Sequence, residues 1–188
     1  MRTWPVLFLS FVFAACASVP ASPDSVGERL VAALDDGDVR EADGLFDSLA
    51  RDPDAVERVY PVLYEAAEAR FDAGEPARAS AILRFMAPRY PDARSVREAW
   101  LYALFLERAE SDEADPALVD EMETLVGELE GPPRPLWVDL AATQVAVDRG
   151  RGAEAGESYV RFVDAWSGEP ASLMPYVEDL ERWIRTHR

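Results

Sequence analysis

Helical segments punctuated by turn residues recur along this chain at a near-constant interval, and that interval limits the folds open to it. Ala42, Ala79, Ala117 and Ala155 stand 37, 38 and 38 positions apart, each near the start of the second helix of a pair. Self-similarity at a period of about 20 to 50 residues marks supersecondary units that bury their apolar faces by stacking on one another. A small residue at a fixed place is what two helices need in order to approach closely. Gly37, Gly74 and Gly152 mark the turns before three of these helices, and the acidic stretch ESDEAD, residues 110–115, replaces the remaining one.

The helices themselves follow from start signals, stop signals and apolar spacing. Ser25 with Glu28 forms a capping box ahead of Leu30, Val31 and Leu34, and Gly37 ends that helix. Asp38 with Glu41 opens the second, which carries Leu45, Phe46 and Leu49. Asp54 with Glu57 opens a third that runs to Gly74, and Pro61 inside it is expected to kink it or move its start. Pro76 begins a fourth, closed by Pro88 and Pro91. Ser95 with Glu98 caps a fifth whose segment WLYALFL, residues 100–106, is apolar on every side and needs cover on both faces. Asp115-Pro116 starts the sixth, with Leu118, Met122, Leu125, Val126 and Leu129 in one stripe. GPPRP at 131–135 interrupts the chain before a seventh, Leu136 to Arg149. An eighth carries Tyr159, Phe162, Val163 and Trp166, and the last, near Pro175 to Thr186, carries Tyr176, Val177, Leu180, Trp183 and Ile184. No stretch alternates long enough to read as a strand, so the expected fold is all-α with about nine helices.

The segment YPVLYEAAEARFDAGEPARASAILRFMAPRYPD, residues 60–92, resembles a tetratricopeptide repeat through Ala67, the Gly74 turn, Ala79, Leu83 and Pro91. The likeness extends to residues 25–54 and 136–170 and fails in the third pair, where the turn is longer and Glu121 takes an expected apolar place. The resemblance implies antiparallel helical hairpins stacked as a right-handed solenoid over a single domain, residues 25–188, with the last helix as a polar-faced cap.

The N-terminus supplies an address. Arg2 precedes the apolar segment from Trp4 to Ala15, which at 12 residues falls short of the ~20 that span a bilayer, so residues 1–15 read as a signal peptide. The chain's single cysteine, Cys16, follows at once, and Phe13-Ala14-Ala15-Cys16 resembles the lipobox of bacterial lipoproteins with Phe in place of the usual Leu. That resemblance implies cleavage before Cys16, a thioether to diacylglycerol and acylation of the new amino group; more than one chain makes the anchor stable. Two other readings of Cys16 are a buried apolar residue and loss on cleavage after Ala17. Residues 16–24 then form the lipidated cysteine and a Pro-rich tether. Ala17, not Asp, follows the cysteine, which by the enterobacterial pattern implies the outer membrane, facing the periplasm.

Charge and composition narrow the chemistry. All 19 basic residues are Arg, Lys and Asn are absent, and 36 acids leave a net charge of −17, which opposes nucleic acid and anionic lipid headgroups. A lone His, His187, next to the chain end reads as part of a frayed tail, and one His with one Cys does not make a transition-metal set, so no cofactor or metal is expected. No nucleophile elbow, phosphate loop or zinc helix is present, and the acids fall at caps, turns and polar helix faces, so no enzyme activity is expected. The nine acids between Glu110 and Glu130, without one Arg, raise the alternative of a docking face for a basic partner.

These observations lead to a lipid-anchored, non-catalytic scaffold of the bacterial cell envelope that holds neutral or basic segments of other envelope proteins. The rival is a cell-wall glycan-binding or carboxylate-based accessory, for which a pocket holding two acids and Trp100 or Trp137 would be the signature; a third reading is a soluble secreted helical protein. Mass spectrometry of the mature N-terminus in the source bacterium separates the first from the third. A first residue at Cys16 carrying acyl chains is the expected result, and an unmodified chain starting after Ala17 would remove the anchor.

Overall fold

A computed structural model describes residues 23–187 of the chain. Among them are nine α-helices and no strand: α1 (Pro23–Asp35), α2 (Val39–Leu49), α3 (Pro53–Asp72), α4 (Pro76–Met86), α5 (Arg94–Ala109), α6 (Pro116–Leu129), α7 (Leu136–Asp148), α8 (Gly152–Ala165) and α9 (Met174–His187). A short 3-10 turn, Ala171–Leu173, leads into α9. The all-α expectation is met.

Start signals hold in kind and shift in detail. Asp38 Oδ1 accepts from the Glu41 N–H at 3.0 Å, as read from the sequence. The cap of α3 is Asp52, whose Oδ1 accepts from Ala55 N–H at 3.2 Å, and not Asp54. Pro53 at the first helical position lacks the donor that would otherwise go unpaired there, so helix and cap begin two residues earlier. Helix α1 already begins at Pro23, which puts Ser25 inside it, and α5 begins at Arg94 after Ala93, so Ser95 is not its cap. Helix α3 runs unbroken from Pro53 to Asp72 through Pro61, which is exposed, on the side where water reaches the backbone.

Three chain reversals share one geometry. Gly37, Gly74 and Gly150 have φ of 75°, 71° and 69°. The N–H one residue later, on Asp38, Glu75 and Arg151, reaches the carbonyls of Ala33, Arg70 and Ala146 at 2.8 Å in each case. This is the Schellman closure, in which left-handed backbone satisfies the last carbonyls of a helix. The third member is Gly150 and not Gly152, which is the first residue of α8.

The small-residue position is set by the same register. Ala42, Ala79 and Ala155 are fully buried, and each donates its N–H to the carbonyl of the residue that precedes its helix. In α6 that hydrogen bond belongs to Val119, donating to Asp115 at 3.0 Å, and Val119 is buried. Ala117 is exposed in the first turn, so the sequence alignment of the third pair is off by two residues. The longer ESDEAD turn places the start of α6 at Asp115-Pro116 and carries the packing position with it.

Helix α1 packs on α2, α3 and α4, α4 on α5, and α5 on α6 and α7; α7 in turn meets α6, α8 and α9. Helix α5 is thus covered on several sides, as its all-round apolar character requires. Helix α7 is buried more thoroughly, with eight of its thirteen residues out of solvent, Asp139, Thr143 and Gln144 among them. Two large apolar clusters result, one from α1 to α5 and one from α5 to α9, with a small third of Ala146, Ala155 and Ile184, and Trp100 packs against both large ones. In the first, Phe46 meets Phe85 and Tyr90 edge-on at 5.8 and 6.1 Å, and the Arg89 guanidinium lies 3.6 Å from the Phe85 ring centre.

The register makes a direct prediction for urea unfolding. Ala79→Leu is expected to cost about 1–3 kcal/mol by overpacking, and Gly74→Ala about 1–2 kcal/mol because its φ is left-handed. Ala117→Leu, on the exposed turn, is expected to stay within about 0.5 kcal/mol of the parent.

Candidate functional site: an aromatic row on the odd-numbered helices

One half-buried aromatic residue from each of three odd-numbered helices falls into a connected series. Phe71 near the end of α3 lies 5.7 Å from Tyr102 of α5, and Tyr102 lies 4.5 Å from Trp137 at the start of α7, both pairs tilted by 37°. Tyr176 of α9 packs edge-on against a different ring of α5, the buried Phe105, at 6.2 Å. Burial, with a smaller contribution from Tyr176, pushes the Tyr102 phenol above its ordinary range. Rings of this kind expose apolar area together with hydroxyl and indole donors, the combination that recurs at protein interfaces.

Ionic contacts fix the helix ends around this row. Arg70 pairs bidentately with Asp35, tying the end of α3 to the end of α1. Arg108, 38 positions further on, pairs bidentately with Asp148 at 2.9 and 2.7 Å, tying α5 to α7. Gln144 also donates to Asp148 at 3.1 Å. Asp35 and Asp148 each stand two residues before a turn glycine, as does Asp72, so a D-x-G triplet repeats with the fold. Reading the turns by Gly alone missed that signal. Arg94 spans the other end, donating to the carbonyls of Leu129, Gly131 and Pro133 at 3.1, 2.9 and 2.7 Å and so holding the GPPRP connection against α5.

The acids of α6 are largely spoken for. Asp120 and Glu123 pair with Arg149, Glu123 also with Arg151, Glu121 with Arg84, Glu128 with Arg97 and Glu130 with Arg134. Asp115 is a cap, which leaves Glu110, Asp112 and Glu113 of the run in the turn. The run has no Arg of its own because the Arg residues come from α4, α5 and the segments flanking α7. Asp139 departs from the polar-face rule, for it is buried beneath Arg134 and Arg161 at 3.0 and 2.9 Å.

One cleft meets part of the description set for the carboxylate reading. A space of about 440 Å³ between α4, α5 and the start of α6 is lined by Arg84, Glu107, Asp115 and Glu121, with Leu118 beside them. Arg84 pairs with Glu121, and its guanidinium lies 6.0 Å from the Trp100 ring centre. Burial pushes the Glu107 carboxyl above its usual range; Arg84 opposes that shift, and Glu121, Asp115 and Glu110 add to it. The sequence signal for Glu107 was its position at the end of the all-apolar WLYALFL helix. The indole N–H of Trp100 is buried without a hydrogen-bond partner among the described residues.

His187 is helical rather than frayed. Its ring stacks on Trp183 at 4.2 Å, and Nδ1 lies 2.8 Å from the Trp183 carbonyl. Cys16, the signal segment and the start of the tether lie outside the described residues, and no described helix is long and apolar enough to cross a membrane. Among the described residues no three of His, Cys, Asp and Glu converge as a metal site.

Glu107 offers a pH test of this geometry. A carboxyl raised in the folded state favours folding while it is neutral, and that contribution is lost as pH rises through its folded pKa. Glu107→Gln is therefore expected to raise the melting temperature at pH 7, with the gain shrinking toward pH 4, where the parent is protonated too. Scanning calorimetry across that range would contradict the assignment if the gain were the same at both ends. Compared with known protein families, curated proteins and solved structures, the chain matches none.

Proposed function

We propose that this chain is a lipid-anchored, non-catalytic scaffold of the bacterial envelope, built as tetratricopeptide-like hairpins stacked in a right-handed solenoid. The observation that carries the reading is the row Phe71, Tyr102 and Trp137, because it draws one ring from each of three successive odd-numbered helices. Those helices are the ones that line the concave face in the proposed solenoid. Three equal glycine closures and the recurrent buried position held by Ala42, Ala79, Val119 and Ala155 support the stacking. The lipobox-like Phe13 to Cys16 supports the anchor, with Cys16 as the lipidated residue and the outer membrane, facing the periplasm, as the site.

In this mechanism a partner segment lies across the row, its apolar side chains against the rings, and the lipid holds the complex at the membrane. The negative field of the chain favours neutral or basic segments. Carboxylate clamping of a partner C-terminus is disfavoured by the same field and by the absence of Lys and Asn.

The Glu107 cleft favours the second reading, a glycan-binding accessory, through its raised carboxyl and the neighbouring Trp100. Glu121 works against it, since Arg84 already neutralises that acid.

The test is crosslinking in intact cells of the source bacterium, then solubilisation and purification of the tagged chain. A discrete complex that disappears in a Tyr102→Ser and Trp137→Ser double variant with an unchanged circular dichroism spectrum is the expected result. Recovery of the chain alone, or of cell-wall fragments lost with Glu107→Gln, would replace the scaffold with the glycan reading.

A further inference from the structure

Helix α8 turns an apolar stripe away from the core. Its inner face, Ala155, Ser158 and Phe162, is buried, as the amphipathic pattern requires. Val160 and Val163, however, are 48% and 40% exposed and lie close together on the outer face. They are two of only four large apolar side chains exposed to this degree among the described residues. With the exposed Ala153 they follow an i, i+7, i+10 spacing along which one helix can receive another, while Gly156 on the same side is buried. A cleft of about 730 Å³ follows this stripe, bounded by Gly152, Glu157, Arg161 and His187.

The edges of the stripe differ. On one side α9 closes in so tightly that a Cβ on Gly152 would meet the His187 carbonyl oxygen at 2.3 Å. On the other side stand Glu157 and Asp164, both exposed and one heptad apart. Neither has an ion-pair partner among the described residues. The charges beyond them are engaged: Glu154 with Arg151, and Arg161 with Asp139. The free charge along the open edge is therefore negative. A second copy of α8 docked antiparallel would set these acids against their own copies, in a chain whose net charge is −17. An occupant must supply the opposite sign.

We propose that the outer face of α8 docks an amphipathic helix of a partner protein, apolar along one stripe and bearing Arg or Lys along the edge that meets Glu157 and Asp164. Val160 and Val163 take its apolar side chains, with the exposed Ala153 about two turns before Val160. At 14 residues, α8 offers about 21 Å of contact, enough for roughly two heptads. This surface is separate from the aromatic row and stands or falls independently of it.

The probes are two synthetic helices of about four turns, identical in their Leu stripe and carrying either Lys or Glu along one edge. Fluorescence anisotropy against the full chain is expected to show the Lys helix binding at least tenfold tighter, about 1.4 kcal/mol. A Val160→Asp and Val163→Asp double variant is expected to lose binding, and Glu157→Arg with Asp164→Arg to invert the preference. All four residues are exposed, so the variants should keep the parent's circular dichroism and melting temperature. Equal affinity for the two helices, no binding of either, or binding that survives the Val→Asp changes would overturn the proposal. So would a dimer in sedimentation that dissociates on those changes, because the occupant would then be a second copy.

Discussion

A helix that ends must turn its last carbonyls toward some donor, and in this chain three helix ends do so through one left-handed glycine. That closure at Gly37, Gly74 and Gly150 is the constraint on which the remaining packing rests. It sets the direction in which the next helix leaves and the number of residues before its fourth position faces the core. Ala42, Ala79 and Ala155 are small because that fourth position meets a neighbouring helix at close range. Where the glycine is missing, before α6, the chain uses a longer acidic turn and a Val at the packing position, so the interval changes while the hydrogen bond that defines the position is kept.

The second constraint is charge. Acids outnumber Arg 36 to 19, and self-repulsion of that size opposes a compact chain. The structure answers mostly with ion pairs between elements, beside a few within one helix such as Arg94–Glu98 in α5 and Arg185–Glu181 in α9. Arg84, Arg97, Arg149 and Arg151 reach the acids of α6 from other parts of the chain. Most of these pairs are exposed, and each contributes little, about 0–1 kcal/mol. Arg108 and Asp148 form the exception, with side chains only 14% and 4% exposed, where loss of one partner would leave a charge in a dry site. The acidic run thereby serves the fold first.

Two surfaces remain that the fold does not consume: the aromatic row on the odd-numbered helices and the apolar stripe on α8. They differ in character. The row is made of rings already packed on one another, a preformed platform on which the proposed partner would dock at low ordering cost. The stripe is a helix face one layer short of cover. Neither has the arrangement of nucleophile, base and oriented third group that would mark catalysis. In the Glu107 cleft, Arg84 already pairs with Glu121, the second acid.

What the sequence determined by itself is local. Helix number and order follow from caps, prolines and apolar spacing, because hydrogen bonding within one turn of chain decides them: Asp38 caps Glu41, and Pro76 and Pro116 open helices where they stand. Local misreadings were small: Asp52 for Asp54 and Gly150 for Gly152, where neighbouring residues of the same type compete for one role, and a start of α1 three residues ahead of the one expected after Ser25. Tertiary structure decided what depends on distance through space. It selected Val119 over Ala117, because a longer turn shifts register without altering the local pattern. It brought Phe71, Tyr102 and Trp137 together from three helices, and it matched the acids of α6 with Arg residues far along the chain. Helical periodicity reports which side of a helix is apolar, but not which other helix will meet it; only packing sets that.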